Sequence, residues 1–215
     1  MDDTTKPTLI LGGGFTGLFT ALHLSRQHYA DPVILIDQTA RFIFQPLLYE
    51  LLSGEMNREQ VWPPYKELLR DSGIIFVQDT AQAIDLERRQ VRLVSGSCYS
   101  YSRLVLALGS TNDYFGIAGA QEHTWSFRTG EDAVVLANHL RCCLQNAMQS
   151  PLPPGGSALL TVGVIGAGPT GVELAGTLAD LLPDWYSRLG GKAQAIRVVL
   201  LNRGREILAG EVHRS

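Results

Sequence analysis

The chain has 215 residues, 45% hydrophobic and 18% charged, which is enough apolar material for one large or two modest folded domains and excludes a disordered chain. A net charge of −3 with scattered basic residues gives no electrostatic case for nucleic acid. Cys98, Cys142 and Cys143 form neither a disulfide framework nor a C-x-x-C motif, so a reducing compartment and no metal site are expected.

Met1 to Pro7 is polar and acidic and lacks the basic and apolar regions of a signal peptide. Thr8 to Gly12 then reads as an apolar strand entering the turn Gly12-Gly13-Gly14-Phe15-Thr16-Gly17, with a helix predicted over 15–29. Gly12, Gly14 and Gly17 have G-x-G-x-x-G spacing. The first glycine permits the tight turn, the second lets backbone approach a pyrophosphate, and the third lets helix pack on strand. Val33 to Asp37 is a second apolar strand. Asp37 falls about twenty residues after Gly17, the distance at which an acidic side chain meets a ribose 2′-hydroxyl. The bland alternative is a glycine-rich bend with no ligand.

The aromatic segment from Ala40 to Leu52 is expected to become helical after Pro46, since proline suits a first helical turn. A helix over 62–70, opened by Pro63 and Pro64, and a buried strand over 74–77 follow. Residues 81–86 and 90–94 alternate in polarity and read as a hairpin, with 97–101 as a possible third antiparallel strand. Arg103 to Gly109 returns to a continuous apolar strand. A helix over 130–149 leads to the clearest linker, Pro151 to Ser157. The stretch from Cys142 to Val172 has no charged residue, but its prolines and glycines make it linker plus buried strand, not a membrane span.

The opening pattern then repeats. Residues 159–165 form a strand, Gly166-Ala167-Gly168-Pro169-Thr170-Gly171 is a second G-x-G-x-x-G, a helix runs over 170–182, and 196–201 is a strand. Two such fingerprints imply two dinucleotides, a flavin and a nicotinamide. Where the first unit has Asp37, the second has Asn202 followed by Arg203 and Arg205. Asn202 removes the repulsion a carboxylate would exert on a 2′-phosphate, and the arginines offer it charge. Solvated loop charges are the alternative reading of those arginines.

The two fingerprints, the run Phe42 to Glu55, Leu104 to Ser110 and Gly166 to Ala175 together resemble type II NAD(P)H dehydrogenases, especially their cyanobacterial and chloroplast branch. The resemblance implies an α/β, two-dinucleotide-binding-domain flavoprotein fold that passes electrons from NAD(P)H through FAD to a quinone such as demethylphylloquinone or plastoquinone. It implies an FAD domain over 1–118, a connecting helix and linker over 119–157, and a partial NAD(P)H domain over 158–215. Gly12, Gly13, Gly14, Phe15, Thr16 and Gly17, with Asp37 and Gln38, would hold the ADP part of FAD. Pro46 and Leu47 would lie near the flavin ring, Ala81 near the adenine, and Ala107-Leu108-Gly109 close to FAD, with Leu108 lacking the family's usual threonine hydroxyl. Gly166, Gly168, Pro169, Thr170 and Gly171 would bind the nicotinamide cofactor's pyrophosphate, Asn202 and Arg203 its adenosine end. Glu173 matches a family glutamate near the nicotinamide and is the candidate catalytic residue; an exposed carboxylate in the first turn of a helix is the plain alternative.

Family members are about twice this length. The resemblance therefore places the flavin-domain return, the quinone segment and the membrane-attaching amphipathic helices beyond this chain, and turnover by the chain alone is expected to be poor. A cytoplasmic-side protein, soluble or peripheral to a membrane, is expected; oligomeric state is left open. Two other readings stand beside the enzyme: a non-catalytic FAD-binding module, and a sulfide:quinone reductase-like flavoprotein, for which Cys142-Cys143 are poor redox candidates.

Overall fold

The computed structural model describes residues 6–149 and 160–208, so the Pro/Gly linker expected at 151–157 lies outside the described residues. In chain order the elements are β1 (Thr8–Leu11), α1 (Phe15–Arg26), β2 (Val33–Asp37), α2 (Leu48–Ser53), α3 (Arg58–Val61), α4 (Tyr65–Leu68), β3 (Ile75–Gln78), β4 (Ala81–Asp85), β5 (Gln90–Leu93), β6 (Cys98–Ser100), β7 (Arg103–Leu106), α5 (Ala120–His123), α6 (Gly130–Gln149), β8 (Thr161–Ile165), α7 (Pro169–Arg188) and β9 (Arg197–Leu201). They fall into two compact units. One comprises Met1–Leu47 with Asn57–Gly130, the other Leu48–Met56 with Glu131–Ser215.

The first unit is built on a parallel sheet of order β3-β2-β1-β7. β1 and the first four residues of β2 are wholly buried, because both faces of the sheet are covered; this is why they read as unbroken apolar runs. On one face Ile10, Val33 and Leu35 pack with Leu18 and Ala21 of α1 and with Phe42, Tyr65 and Leu69. On the other, Leu9, Leu11, Ile34 and Ile36 pack with Val91 and Leu93 of β5 and with Tyr101. The side chains alternate between faces with the period of two that a strand imposes. Each buried Leu or Ile stabilises the unit by about 1.5–3 kcal/mol relative to exposure. The second covering layer is the antiparallel sheet β4-β5-β6, so the expected hairpin and third strand both form.

In the second unit β8 and β9 pair in parallel, Thr161 opposite Arg197 through Ile165 opposite Leu201. α7 buries Leu174, Leu178, Leu182 and Tyr186 along one stripe at four-residue spacing. The helix continues through Pro183 to Arg188, beyond the predicted end at 182, because Leu182 and Tyr186 extend that stripe.

Two local expectations change. The helix predicted over 62–70 is shortened to α4, and Trp62, Pro63 and Pro64 separate it from α3; Trp62 and Pro63 each precede a proline, which disfavours helical backbone there. α3 starts at a capping box in which Asn57 and Gln60 exchange side-chain to backbone bonds. The strand predicted as buried at 74–77 is β3, on the sheet edge, with Ile75 52% exposed. Among the described residues no helix is long and apolar enough to cross a membrane, and no cluster of three or more His, Cys, Asp or Glu could hold a metal ion.

Candidate functional site

β1 lies between β2 and β7, and the chain turns at its carboxyl end into α1. Gly12 takes φ +97°, and its amide donates to the Ile36 carbonyl at 2.8 Å, closing the turn against β2. A Cβ on Gly12 would strike the Ala107 carbonyl, and one on Gly17 would strike the carbonyl of Gly12. Both glycines are therefore required by the protein's own packing. Gly14 is different. It stands at the N-cap of α1 with ordinary φ of −60°, and nothing lies within 4 Å of a Cβ built on it. No side chain caps the helix there. Free helix amides and a positive dipole end facing open space suit a pyrophosphate, so the residues present fit the dinucleotide that the fingerprint implies.

The rest of this turn is tied to β2. The Gly13 amide donates to Asp37 Oδ2 at 2.6 Å, and the Thr39 amide and hydroxyl both donate to Oδ1 at 2.8 Å. Asp37 is thus fixed in direction beside the glycine turn. Tyr65 sits beneath: its hydroxyl donates to the Gly13 carbonyl at 2.7 Å, and a Cβ on Gly13 would strike the phenol. Burial, and next the negative charge of Asp37, push the Tyr65 hydroxyl above the ordinary phenol range. Tyr65 and Thr39 were missed by sequence reasoning, because neither belongs to the fingerprint's spacing.

The remaining first-unit candidates are distributed around this turn. The Ala107 amide donates to the Leu11 carbonyl at 2.8 Å, Leu108 is 63% exposed, and Gly109 takes φ +72°. Pro46 and Leu47 lie in a 3-10 turn, Gln45–Leu47. Leu47 lines an apolar hollow of about 280 Å³ with Phe15, Phe19, Phe42, Phe44 and Val61. The Phe15 and Phe19 rings meet in a tilted pair with centroids 4.5 Å apart. The Thr16 carbonyl accepts from Thr20 inside α1. Gln38 is exposed, and Ala81 is half-buried at the start of β4.

The second unit repeats the same geometry. Gly166 takes φ +103°, its amide donates to Leu201 at 2.8 Å, and a Cβ on Gly171 would strike the Gly166 carbonyl. Gly168 is the N-cap, Pro169 opens α7, no side chain caps it, and nothing lies within 4 Å of a Cβ on Gly168. The difference is at the strand end. Asp37 follows Ile36, and Asn202 follows Leu201, each directly after the carbonyl that receives the first glycine's amide. Asp37 reaches its glycine turn, whereas the Asn202 amide donates into its own loop, to the Glu206 carbonyl at 2.9 Å and the Gly204 carbonyl at 3.4 Å. Arg203 and Arg205 are exposed on that loop. Glu173 is exposed as expected but stands one turn into α7, not in its first turn, which holds no acidic residue. Thr170 accepts from Tyr49 of α2 at 3.3 Å.

Two glycine turns of one design, each opening a helix from a parallel strand, define a dinucleotide-binding α/β protein. The sequence model of the pyridine nucleotide-disulphide oxidoreductases matches residues 6–214, and the chain belongs to that family. Over 97% of its length it is 36% identical to the demethylphylloquinone reductase NdbB of Synechocystis sp., covering 49% of that protein. It is also 36% identical to the alternative NAD(P)H-ubiquinone oxidoreductase C1 of Arabidopsis thaliana, over 85% of this chain and 37% of that one. The fold is shared with NDH2 of Plasmodium falciparum, with a TM-score of 0.79 at 23% identity, covering 95% of this chain and 43% of that one. The resemblance to type II dehydrogenases read from the sequence is borne out by these relatives. The chain spans about half the length of the curated relatives it matches.

Proposed function

We propose that this chain is the nucleotide-binding portion of a type II NAD(P)H:quinone oxidoreductase, with FAD held on the first unit and NAD(P)H on the second. The observation that supports this best is the matched open space at Gly14 and Gly168, each above a helix N-terminus with no side-chain cap. When bound, FAD supplies two-electron chemistry between a nicotinamide and a quinone.

On this reading the amides of Gly14 to Gly17 hold the FAD pyrophosphate, and Asp37, already aligned by Gly13 and Thr39, accepts from the adenosine ribose. Gln38 and Ala81 border the adenine, and Pro46, Leu47 and Ala107 to Gly109 border the flavin. Gly166 to Gly171 hold the second pyrophosphate, and Glu173 meets the nicotinamide end. Asn202 and Arg203 face the second adenosine ribose, where the absence of a carboxylate favours NADPH at least as much as NADH. Quinone is the proposed acceptor because the names of the Synechocystis and Arabidopsis relatives specify quinones; demethylphylloquinone is the first to assay.

The experiment is the visible spectrum of the purified chain after incubation with FAD and removal of excess. Retained flavin absorbance, bleached by NADPH without oxygen, is the expected result. Protein that retains no flavin overturns the assignment of the first unit.

A further inference from the structure

α6 runs for 20 residues and buries Leu136, Leu140, Leu144 and Ala147 along one stripe. His139 and Cys143 each directly precede a leucine of that stripe, Leu140 and Leu144, so the packed side of the helix fixes the backbone beneath both. Residues four apart on a helix stand one above the other on the same face. His139 is exposed, Cys143 is half-buried, and the Cys143 sulfur lies 3.5 Å from Nε2 of His139. Cys142 is exposed and, as the adjacent residue, stands about 100° around the helix from Cys143.

Imidazole nitrogen and thiolate sulfur are zinc ligands, bound at about 2.0–2.1 Å and about 2.3 Å respectively. At a tetrahedral angle those bond lengths set the two ligand atoms about 3.5 Å apart. The separation of the His139 and Cys143 atoms therefore already equals the bite of a tetrahedral chelate. Burial first, then the neighbouring Cys142, raise the Cys143 thiol above its ordinary range, so at neutral pH the sulfur carries a proton that a metal must displace. Among the described residues no group of three or more His, Cys, Asp or Glu could hold a metal ion, so the pair would fill two positions of a tetrahedral ion and water the others. Such a site exchanges its metal, unlike a closed structural one.

We propose that His139 and Cys143 form a bidentate, exchangeable site for a borderline-soft divalent cation, of which zinc is the first to assay. On binding, the Cys143 S–H bond breaks and its proton passes to solvent. The sulfur and Nε2 of a neutral His139 each then give an electron pair to the ion, and nothing is oxidised or reduced. The site uses neither glycine fingerprint. Its H-x-x-x-C spacing suits one helix face.

The test titrates the reduced, metal-free chain with Co²⁺ and then with excess Zn²⁺, in wild type, His139→Ala, Cys143→Ser and Cys142→Ser. In wild type we expect one equivalent of Co²⁺ to give a near-ultraviolet sulfur-to-cobalt charge-transfer band, which Zn²⁺ then bleaches by displacement. Loss of even an outer-shell partner of a metal typically costs about 10–100-fold in affinity, so His139→Ala and Cys143→Ser should each weaken Zn²⁺ by at least about tenfold, while Cys142→Ser stays within about twofold. Zn²⁺ should also protect Cys143 of the Cys142→Ser variant from iodoacetamide. No band in wild type, or no protection of Cys143, overturns the proposal without reference to the other variants. A band undiminished in His139→Ala overturns the chelate by showing that the thiol binds alone. Equal losses in Cys142→Ser and Cys143→Ser overturn it in favour of the adjacent thiols.

Discussion

Gly14 and Gly17 stand three residues apart and are glycines for different reasons. A side chain at Gly17 would strike the Gly12 carbonyl, whereas one at Gly14 would meet nothing of the protein. Gly17→Val is therefore expected to destabilise the first unit by about 2–4 kcal/mol, the range of severe overpacking. Gly14→Val should melt close to wild type and retain no flavin, because its side chain stands where the pyrophosphate is proposed to bind. Thermal midpoints and flavin content per polypeptide check both variants. Asn202 offers a second contrast. Its amide donates to two carbonyls of the loop that carries Arg203 and Arg205, and an aspartate has no amide to donate. Asn202→Asp should lower NADPH affinity more than NADH affinity, by about tenfold in the ratio, through repulsion of the 2′-phosphate and loss of those loop bonds. Dissociation constants for both nucleotides at fixed ionic strength measure it; an unchanged ratio would show that the strand end does not read the ribose.

At the scale of elements, α4 shows how a segment too short to be stable alone is held by its surroundings. A four-residue helix has no independent stability in water. Here the Tyr65 amide donates to Ala40 at 3.1 Å, the Phe42 amide donates to Pro63 at 2.9 Å, and Arg41 donates to the Trp62 carbonyl at 2.7 Å. The result is to seat the Tyr65 ring under the first glycine turn, stacked on Phe76 at 4.5 Å. Tyr65→Phe should cost about 0.5–1.5 kcal/mol at neutral pH for the lost bond to Gly13. The pH dependence has a definite sign. The folded-state pKa of Tyr65 is raised, so the folded chain keeps the proton that the unfolded chain releases above about 10. The associated stability is complete below about pH 10 and is lost as pH rises through the folded-state pKa. Denaturant unfolding across the alkaline range should therefore fall less steeply in Tyr65→Phe than in wild type; parallel curves would show that this phenol does not titrate differently on folding.

At the scale of the molecule, each glycine turn is closed by residues of its own unit: Gly12 by Ile36 and Ala107, Gly166 by Leu201. The two nucleotides should therefore be separable by mutation. Gly168→Val is expected to abolish NADH binding while flavin content stays at the wild-type level, and Gly14→Val to do the reverse. Equilibrium titration with NADH beside the flavin spectrum reads both. A variant that loses both ligands together would show that the sites depend on one another.

What the sequence determined by itself is what neighbouring residues impose on one another. Glycine spacing requires the two strand–turn–helix units, since Gly12 and Gly17 meet within six residues of chain. The apolar runs of β1 and β2 require a sheet covered on both faces. Asp37 and Asn202 were placed at corresponding strand ends by counting alone. Tertiary structure decided whatever needed distant segments to meet. Only folding puts Tyr65 under Gly13 and Tyr49 against Thr170, and no periodicity encodes a contact across 52 or 121 residues. Only folding turns the carboxylate of Asp37 toward its glycine turn and the amide of Asn202 away from its own, because the direction of a polar side chain is chosen by the donors and acceptors that packing brings within 3 Å.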